Sequence, residues 1–348
     1  MKLSDDAKAI LMLCGRLSRQ SSSHPLRQRQ YNQLAGWLRE QSLRPADLLD
    51  AETVPGAAQG TGIPEQQLAD LLKRGVQLGF AVESWNRNGI WVVCRSDPDY
   101  PSRLKTHLEE QAPPVLFGAG DRSLLRGGGM AIVGSRKVDA SGEDFAREVA
   151  AWCAREGLLV VSGGARGVDH FAMQSALDAG GCVIGVLTDN LLRKSVAREA
   201  RPALSEDRLL LISPYHPEAR FTVETAMARN KLIYAMADSG LVVSAEYKRG
   251  GTWAGAEEEL QRRVARSVYV RTTGDVPGGN QKLLNLGALA FPESWRDRTP
   301  AEVLDPTVPE KLVSRVPENL PLFPDPPTTL DNHHVDKVNP NRGSRNKD

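Results

Sequence analysis

Cysteine is scarce in this chain of 348 residues: Cys14, Cys94, Cys153 and Cys182 stand far apart, with no Cys-x-x-Cys and no histidine at zinc spacing. A disulfide scaffold and a zinc-finger architecture are thereby excluded, and the four are expected as reduced, semi-buried thiols. Long apolar runs are missing too. None approaches the ~20 residues of a bilayer-spanning helix, and the opening Met1-Lys2-Leu3-Ser4-Asp5-Asp6 is acidic where a signal peptide is basic. A cytoplasmic protein with no membrane partner is expected. No sign of charge dominates, since 44 basic residues face 43 acidic ones for a net charge of +1. That balance rules out a uniformly basic nucleic-acid coat and leaves a local basic patch open. Neither the Gly-x-Gly-x-x-Gly of a dinucleotide fold nor the Gly-Lys-Ser/Thr of a P-loop occurs, so hydride transfer and ATP hydrolysis lose their main support. No Ser/His/Asp or His-Glu-x-x-His arrangement and no acidic cluster at ligand spacing is present; no metal, no cofactor and no catalysis are expected.

What is present is ordinary globular material, 41% apolar and 25% charged, in a length that suits about two domains. Residues 1–79 carry apolar residues at helical spacing, as in Ile10, Leu13 and Leu17 and in Leu34 and Leu38. They read as a small helical module whose last element runs from Gly62-Ile63-Pro64 to Gly79. Its turn-then-helix either binds a phosphate backbone through free amides or simply packs. Residues 80–128 read as a linker and packing segment with two short extended stretches, Phe80–Glu83 and Ile90–Cys94. Residues 129–298 change character. Apolar runs at Met130–Val133, Leu158–Val161, Cys182–Leu187, Leu209–Ile212, Leu241–Val243 and Val268–Val270 alternate with helix-length segments. This is the pattern of an α/β fold with a doubly wound, Rossmann-like parallel sheet covered on both faces. Residues 299–348, rich in Pro, Asn and charge, are expected as a disordered tail.

In such a sheet, ligands bind beyond the carboxyl ends of the strands. The first strand is followed by Gly134, Ser135, Arg136 and Lys137, and the second by Ser162, Gly163, Gly164, Ala165, Arg166, Gly167, Val168 and Asp169. Thr188-Asp189-Asn190 and Arg193-Lys194 come after the third, and Lys248, Arg249, Gly250, Gly251 and Thr252 after the Leu241 strand. Small residues let a backbone approach a phosphate, and a guanidinium beside free amides is a usual means of holding one. Asp169 is expected as a helix N-cap. Arg229, Asn230 and Lys231 lie within an amphipathic helix starting near Thr222, either as a solvated face or as phosphate and base contacts. Phe221, Tyr247 and Trp253 offer flat faces for packing or for stacking unpaired bases. Glu257, Glu258 and Glu259 form either an acidic helix surface or a general base.

Taken together these residues resemble a known family. Asp97-Pro98-x-Tyr100-Pro101-x-x-Leu104, Pro113-Pro114-x-Leu116-Phe117-x-x-Gly120, Ile132–Arg136, Ser162–Asp169, Arg229-Asn230-Lys231, Gly250-Gly251-Thr252 and Pro277–Asn280 occur in the order seen in the DNA-processing protein DprA (Smf) family. The resemblance runs from about residue 80 to about 290. It implies an extended Rossmann domain that binds single-stranded DNA at its strand ends, works as a homodimer, and loads a RecA-type recombinase in transformation or recombination, without catalysis. The implied contacts are the Gly134-Ser135-Arg136 loop, the Ser162–Gly167 loop and the Arg229-Asn230-Lys231 segment. Departures from the family pattern are Met173 in place of His, Pro214-Tyr215 for Glu-Tyr-Pro, and Arg271-Thr272-Thr273-Gly274 for Val-Pro-Gly. Two other classes on the same scaffold stay open: a nucleoside-monophosphate phosphoribohydrolase, although Arg249–Glu257 lacks that family's second Gly-Thr, and a sensor of a small nucleotide.

Overall fold

Short aliphatic runs become the strands of a single sheet in the computed structural model, which describes residues 2–17 and 24–305. In chain order they are β1 (Trp91–Cys94), β2 (Val115–Ala119), β3 (Met130–Gly134), β4 (Val160–Ser162), β5 (Val183–Val186), β6 (Leu209–Ser213), β7 (Ser239–Ser244), β8 (Ser267–Val270) and β9 (Leu289–Ala290). Their spatial order is β1-β2-β6-β5-β4-β3-β7-β8-β9. Every pairing from β6 across to β9 is parallel, and β2 and β1 extend the sheet antiparallel beyond β6. Successive side chains of a strand point to opposite faces, so Met130 and Ile132 enter one core while Ala131 and Val133 enter the other. This is the expected doubly wound sheet, apolar on both sides because helices cover both. The parallel part starts in the middle of the sheet at β3, winds outward through β4, β5 and β6, then returns to β7 on the far side of β3. At that reversal the connections leave β3 and β7 in opposite directions, which opens a crevice at their carboxyl ends.

The helices are α1 (Asp5–Cys14), α2 (Gln28–Glu40), α3 (Thr53–Thr61), α4 (Glu65–Leu72), α5 (Gly75–Arg87), α6 (Ser102–Leu108), α7 (Ala140–Arg155), α8 (Val168–Asp178), α9 (Leu191–Ser195), α10 (Arg201–Ser205), α11 (Val223–Met236), α12 (Gly250–Leu260), α13 (Gly278–Asn285) and α14 (Pro300–Leu304). α7 and α8 cover one face of the sheet, and α6, α11, α12 and α13 the other. α1 starts at Ser4, whose side chain accepts the Ala7 amide at 3.1 Å. It is apolar nearly all round because it lies between two cores. Ala7, Ile10 and Leu11 join the sheet's core, and Leu13 joins Leu34, Leu38, Leu68 and Leu71 of the small helical core.

The boundary expected at residues 79 and 80 falls inside α5. Phe80–Glu83 was expected to be extended on the β-propensity of its residues, yet it is helical, because Leu78, Ala81 and Trp85 recur at helical spacing and bury together. Trp85 sets its ring edge-on to Phe117 of β2, with centroids 4.9 Å apart. The element expected from Gly62 to Gly79 is two helices, broken at Lys73-Arg74. Arg74 is buried there and donates to the carbonyls of Met12 and Gly15, at the end of α1. Nor is 80–128 a linker, since it supplies β1 and β2 to the sheet. At the other end Thr299 caps α14 and Val303 is buried, so the fold continues past 298. The tail expected beyond residue 305 lies outside the described residues.

All four cysteines are free thiols; Cys94 and Cys153 are buried, Cys14 and Cys182 half-buried. Burial pushes the thiols of Cys14, Cys94 and Cys153 well up, which leaves almost no reactive thiolate at neutral pH. A thiol-labelling time course on the native protein is expected to modify Cys182 well before the other three. Equal rates at all four would mean that the core opens on the labelling timescale.

Candidate nucleic-acid interface

The β3–β7 crevice is a cavity of about 650 Å³. Gly134, Ser135, Arg136 and Lys137 of the β3–α7 turn form one wall, α11 supplies Val223, Met227, Arg229 and Asn230, and the turn after β7 supplies Glu246, Arg249, Gly250, Gly251 and Thr252. Cross-links hold these segments at one spacing. The Ser135 amide donates to the Ser244 carbonyl at 2.9 Å, joining the ends of β3 and β7. Thr252 Oγ1 donates to the Gly134 carbonyl at 2.9 Å, and Asn230 Nδ2 to the Gly251 carbonyl at 2.8 Å. Ser162 Oγ donates to the Ile132 carbonyl at 2.6 Å, which ties the end of β4 to β3. Gly167, at φ 79°, brings the second loop against the backbone of Ser135 and Arg136, where a Cβ would collide.

Two oppositely charged side chains, Asp169 and Arg229, are buried close together at the crevice. Arg229 is 5% exposed, and its Nη1 donates to the Val186 carbonyl at 2.6 Å. Asp169 lies opposite, buried in the first turn of α8, so it is not the expected N-cap; that position is Gly167. Burial raises the Asp169 carboxyl above its usual range, against the pull of Arg229 and the amides of Ala165, Gly134 and Gly163. Burial likewise lowers the Arg229 guanidinium, against the pull of Asp169. Gly163 is glycine because a Cβ there would overlap both charged groups. Arg229 and Asp169 therefore position the loops that form the crevice wall.

The outward cations differ in kind. Arg136 is exposed and lays its guanidinium 4.9 Å from the centroid of Phe221, itself 43% exposed. Lys137 is also exposed, whereas Arg249 shares its charge with Glu246 at 3.5 Å on the surface. Beside them Phe221, Val223 and Met227 present an exposed apolar rim. An exposed guanidinium against a half-exposed aromatic ring, over a basic crevice, suits a ligand that carries phosphates and flat bases.

The crevice thus gathers Gly134, Ser135, Arg136, Lys137, Arg229, Asn230, Arg249, Gly250, Gly251 and Thr252. Ser162, Gly163, Gly164 and Gly167 do not line it, although Ala165 and Asp169 of the same segment do. Arg166 and Lys248 are exposed outside the cavity. Lys231 turns to the other side of α11, where it donates to Gln111 Oε1 at 3.4 Å near Glu258 and Arg262. Trp253, 3% exposed, donates to Glu257 and offers no stacking face. Glu258 pairs with Arg262, and buried Glu259 bonds His107 and the Arg266 amide, so none of the three glutamates lines the cavity as a general base would. Reading the residues missed Val223 and Met227, whose types carry no motif, and gave no role to the buried Asn280 of the Pro277–Asn280 motif. Asn280 accepts the Ala245 amide and donates to the carbonyls of Val243 and Arg271, joining the ends of β7 and β8.

The sheet and crevice define a Rossmann-like fold with an open crevice at its strand ends. The sequence model of DNA recombination-mediator protein A matches residues 91–296, well over half of the chain, and the chain belongs to that family. It is 31% identical over 180 residues to the putative DNA processing protein DprA of Mycobacterium tuberculosis, covering 51% of this chain and 46% of that protein. With DNA processing protein DprA of Bacillus subtilis it shares 28% identity over 218 residues, 62% of this chain and 72% of the other. It therefore spans about half the length of the Mycobacterium relative. The crystal structure of DprA from Streptococcus pneumoniae superposes with a TM-score of 0.65 at 21% identity, over 83% of this chain and 95% of that one, and so shares the fold. Among the described residues no helix is long and apolar enough to cross a membrane.

Proposed function

We propose that this chain binds single-stranded DNA in the β3–β7 crevice and acts as a recombination mediator. The observation that carries the reading is Arg136: exposed, stacked on Phe221, and held at the strand-end switch point by a turn bonded to β7. Phosphates settle along Arg136, Lys137 and the loop amides, and unpaired bases lie against the apolar rim, so recognition is independent of sequence. Membership of the recombination-mediator family supports the further steps, that two copies act together and that the strand is passed to a RecA-type recombinase in recombination or transformation. The role is binding and not catalysis, and the placement of Glu257, Glu258 and Glu259 away from the crevice supports that.

Titration of a labelled oligothymidylate tests the reading. Arg136→Ala is expected to weaken binding by about 1–3 kcal/mol, the scale of a lost charge-assisted contact, with the melting temperature unchanged. Affinity of the parent is expected to fall by about 0.7 log units per log unit of salt for each phosphate neutralised. A salt-independent affinity, or an Arg136→Ala protein that binds like the parent, would reject the crevice as the DNA site. Release of free base from nucleoside monophosphates would favour the phosphoribohydrolase class instead.

A further inference from the structure

Beyond the crevice, the turn that follows β7 makes an unusual presentation. Glu246 and Arg249 pair as an isolated bridge, and between them Lys248 adopts φ 52°, a left-handed conformation that a lysine rarely takes. This geometry turns Tyr247 and Lys248 out of the fold. The Tyr247 ring is 49% exposed yet fixed in direction, because its edge abuts the buried Trp253 with centroids 5.0 Å apart and planes at 86°. Two ammonium groups flank it: Lys248 Nζ lies 5.4 Å from the ring centroid, and Lys282 Nζ, from α13, lies 5.8 Å away. Neither lysine is in a salt bridge among the described residues. A ring placed only to fill the core would be buried, and lysines placed only for solubility would not converge on it from two segments.

We infer that Tyr247, Lys248 and Lys282 form a second nucleotide subsite, outside the crevice, that takes one unpaired nucleotide of the same strand. The base stacks on the phenol ring, and the ammonium groups that now cover the ring move to the flanking phosphates. This exchange is favourable because base stacking on an aromatic face is the stronger contact, while an exposed lysine over a ring is a weak one. Glu246 and Arg249, on either side of Tyr247 in the turn, line the crevice, so a strand leaving the crevice meets this ring next. The inference rests on the proposal that single-stranded DNA occupies the crevice. It adds a direction for the strand, from Arg136 toward α13.

The test measures binding of oligothymidylates from two to twelve nucleotides to the full chain and to Tyr247→Ala, Tyr247→Phe, Lys282→Ala and Arg136→Ala, at two salt concentrations. Tyr247→Ala is expected to weaken the longest oligomers about tenfold and leave the dinucleotide unchanged, whereas Tyr247→Phe binds like the parent. Lys282→Ala is expected to lower the salt slope for long oligomers by about 0.7. If Arg136→Ala loses affinity while Tyr247→Ala and Lys282→Ala bind the twelve-mer like the parent, the subsite is refuted and the crevice proposal stands. An equal loss on dinucleotide and twelve-mer in Tyr247→Ala would also refute it, since the ring would then only shape the crevice rim. If the parent binds no oligomer, the crevice proposal fails and takes the subsite with it. Should Tyr247→Ala melt far below the parent, Lys282→Ala decides, because that side chain is exposed.

Discussion

Replacing Arg229 by alanine is expected to cost about 3–5 kcal/mol of stability, the scale seen when the countercharge of a buried charged group is removed. The loss has two sources. Asp169 keeps its place in the fold without its cation, and the Val186 carbonyl loses its donor. The sign of the pH dependence follows from burial, which already holds the Asp169 carboxyl above its usual range; removing Arg229 pushes it higher. A carboxyl raised in the folded state favours the fold below its unfolded value of about 3.9, and that contribution is lost as pH rises through the folded value. The deficit of Arg229→Ala is therefore largest at neutral pH and shrinks toward pH 4. Urea titrations at several pH values measure it. Combining it with Asp169→Asn should recover part of the loss, because no buried charge is then stranded. A deficit below about 1 kcal/mol at pH 7, outside the usual range for a lost buried countercharge, would return Arg229 to the role of a ligand contact.

Arg271→Ala is expected to be almost as damaging, about 3–4 kcal/mol, through the loss of several hydrogen bonds and of packed volume. Arg271 is 1% exposed at the end of β8. Its Nε donates to the Val243 carbonyl at 3.1 Å, Nη1 to Ser141 Oγ at 3.1 Å, and Nη2 to the Asp275 carbonyl at 2.9 Å, with Asp139 at 3.4 Å from Nη2. One guanidinium thereby ties β7, the start of α7 and the loop before α13. Lysine has no planar fork, so Arg271→Lys should recover little. The start of α7 follows directly on the Arg136-Lys137 turn, so DNA affinity should fall with stability, unlike in Arg136→Ala, where affinity alone falls. Thermal melts and oligonucleotide titrations on the same preparations separate the two patterns. A melting temperature unchanged in Arg271→Ala would show that the fork does not hold these elements.

The inner strands were legible because burial on both faces leaves continuous Val, Ile and Leu runs, and β3 to β8 lie where those runs stand. β1 and β2 were less so. The short strands at the edge of the sheet carry Trp91, Cys94 and Gly118 among their residues, and only the antiparallel pairing of β2 with β6, from Phe117↔Ser213 to Ala119↔Leu211, makes them part of it. Phe80 and Ala81 illustrate the limit from the helical side. Phe80 and Val82 have β-forming character locally, and the burial of Ala81 with Leu78 and Trp85, which decides for helix, is a tertiary fact.

The site divides in the same way. Sequence alone determined that small residues and cations would follow the strands of a parallel sheet, since strand positions along the chain and loop composition follow from local pattern. Only the tertiary structure decided what each cation does. Arg229, Asn230 and Lys231 are consecutive on one helix, about 100° apart in direction, so they reach the Val186 carbonyl, the Gly251 carbonyl and the far side of α11 respectively. Tyr247 and Trp253 are both aromatic and close in sequence, yet one is presented by a left-handed turn and the other enters the core with α12. Residue type sets which interactions a side chain is able to make. Its direction, and therefore which of them it makes, depends on packing between segments distant in sequence, and local pattern does not encode that.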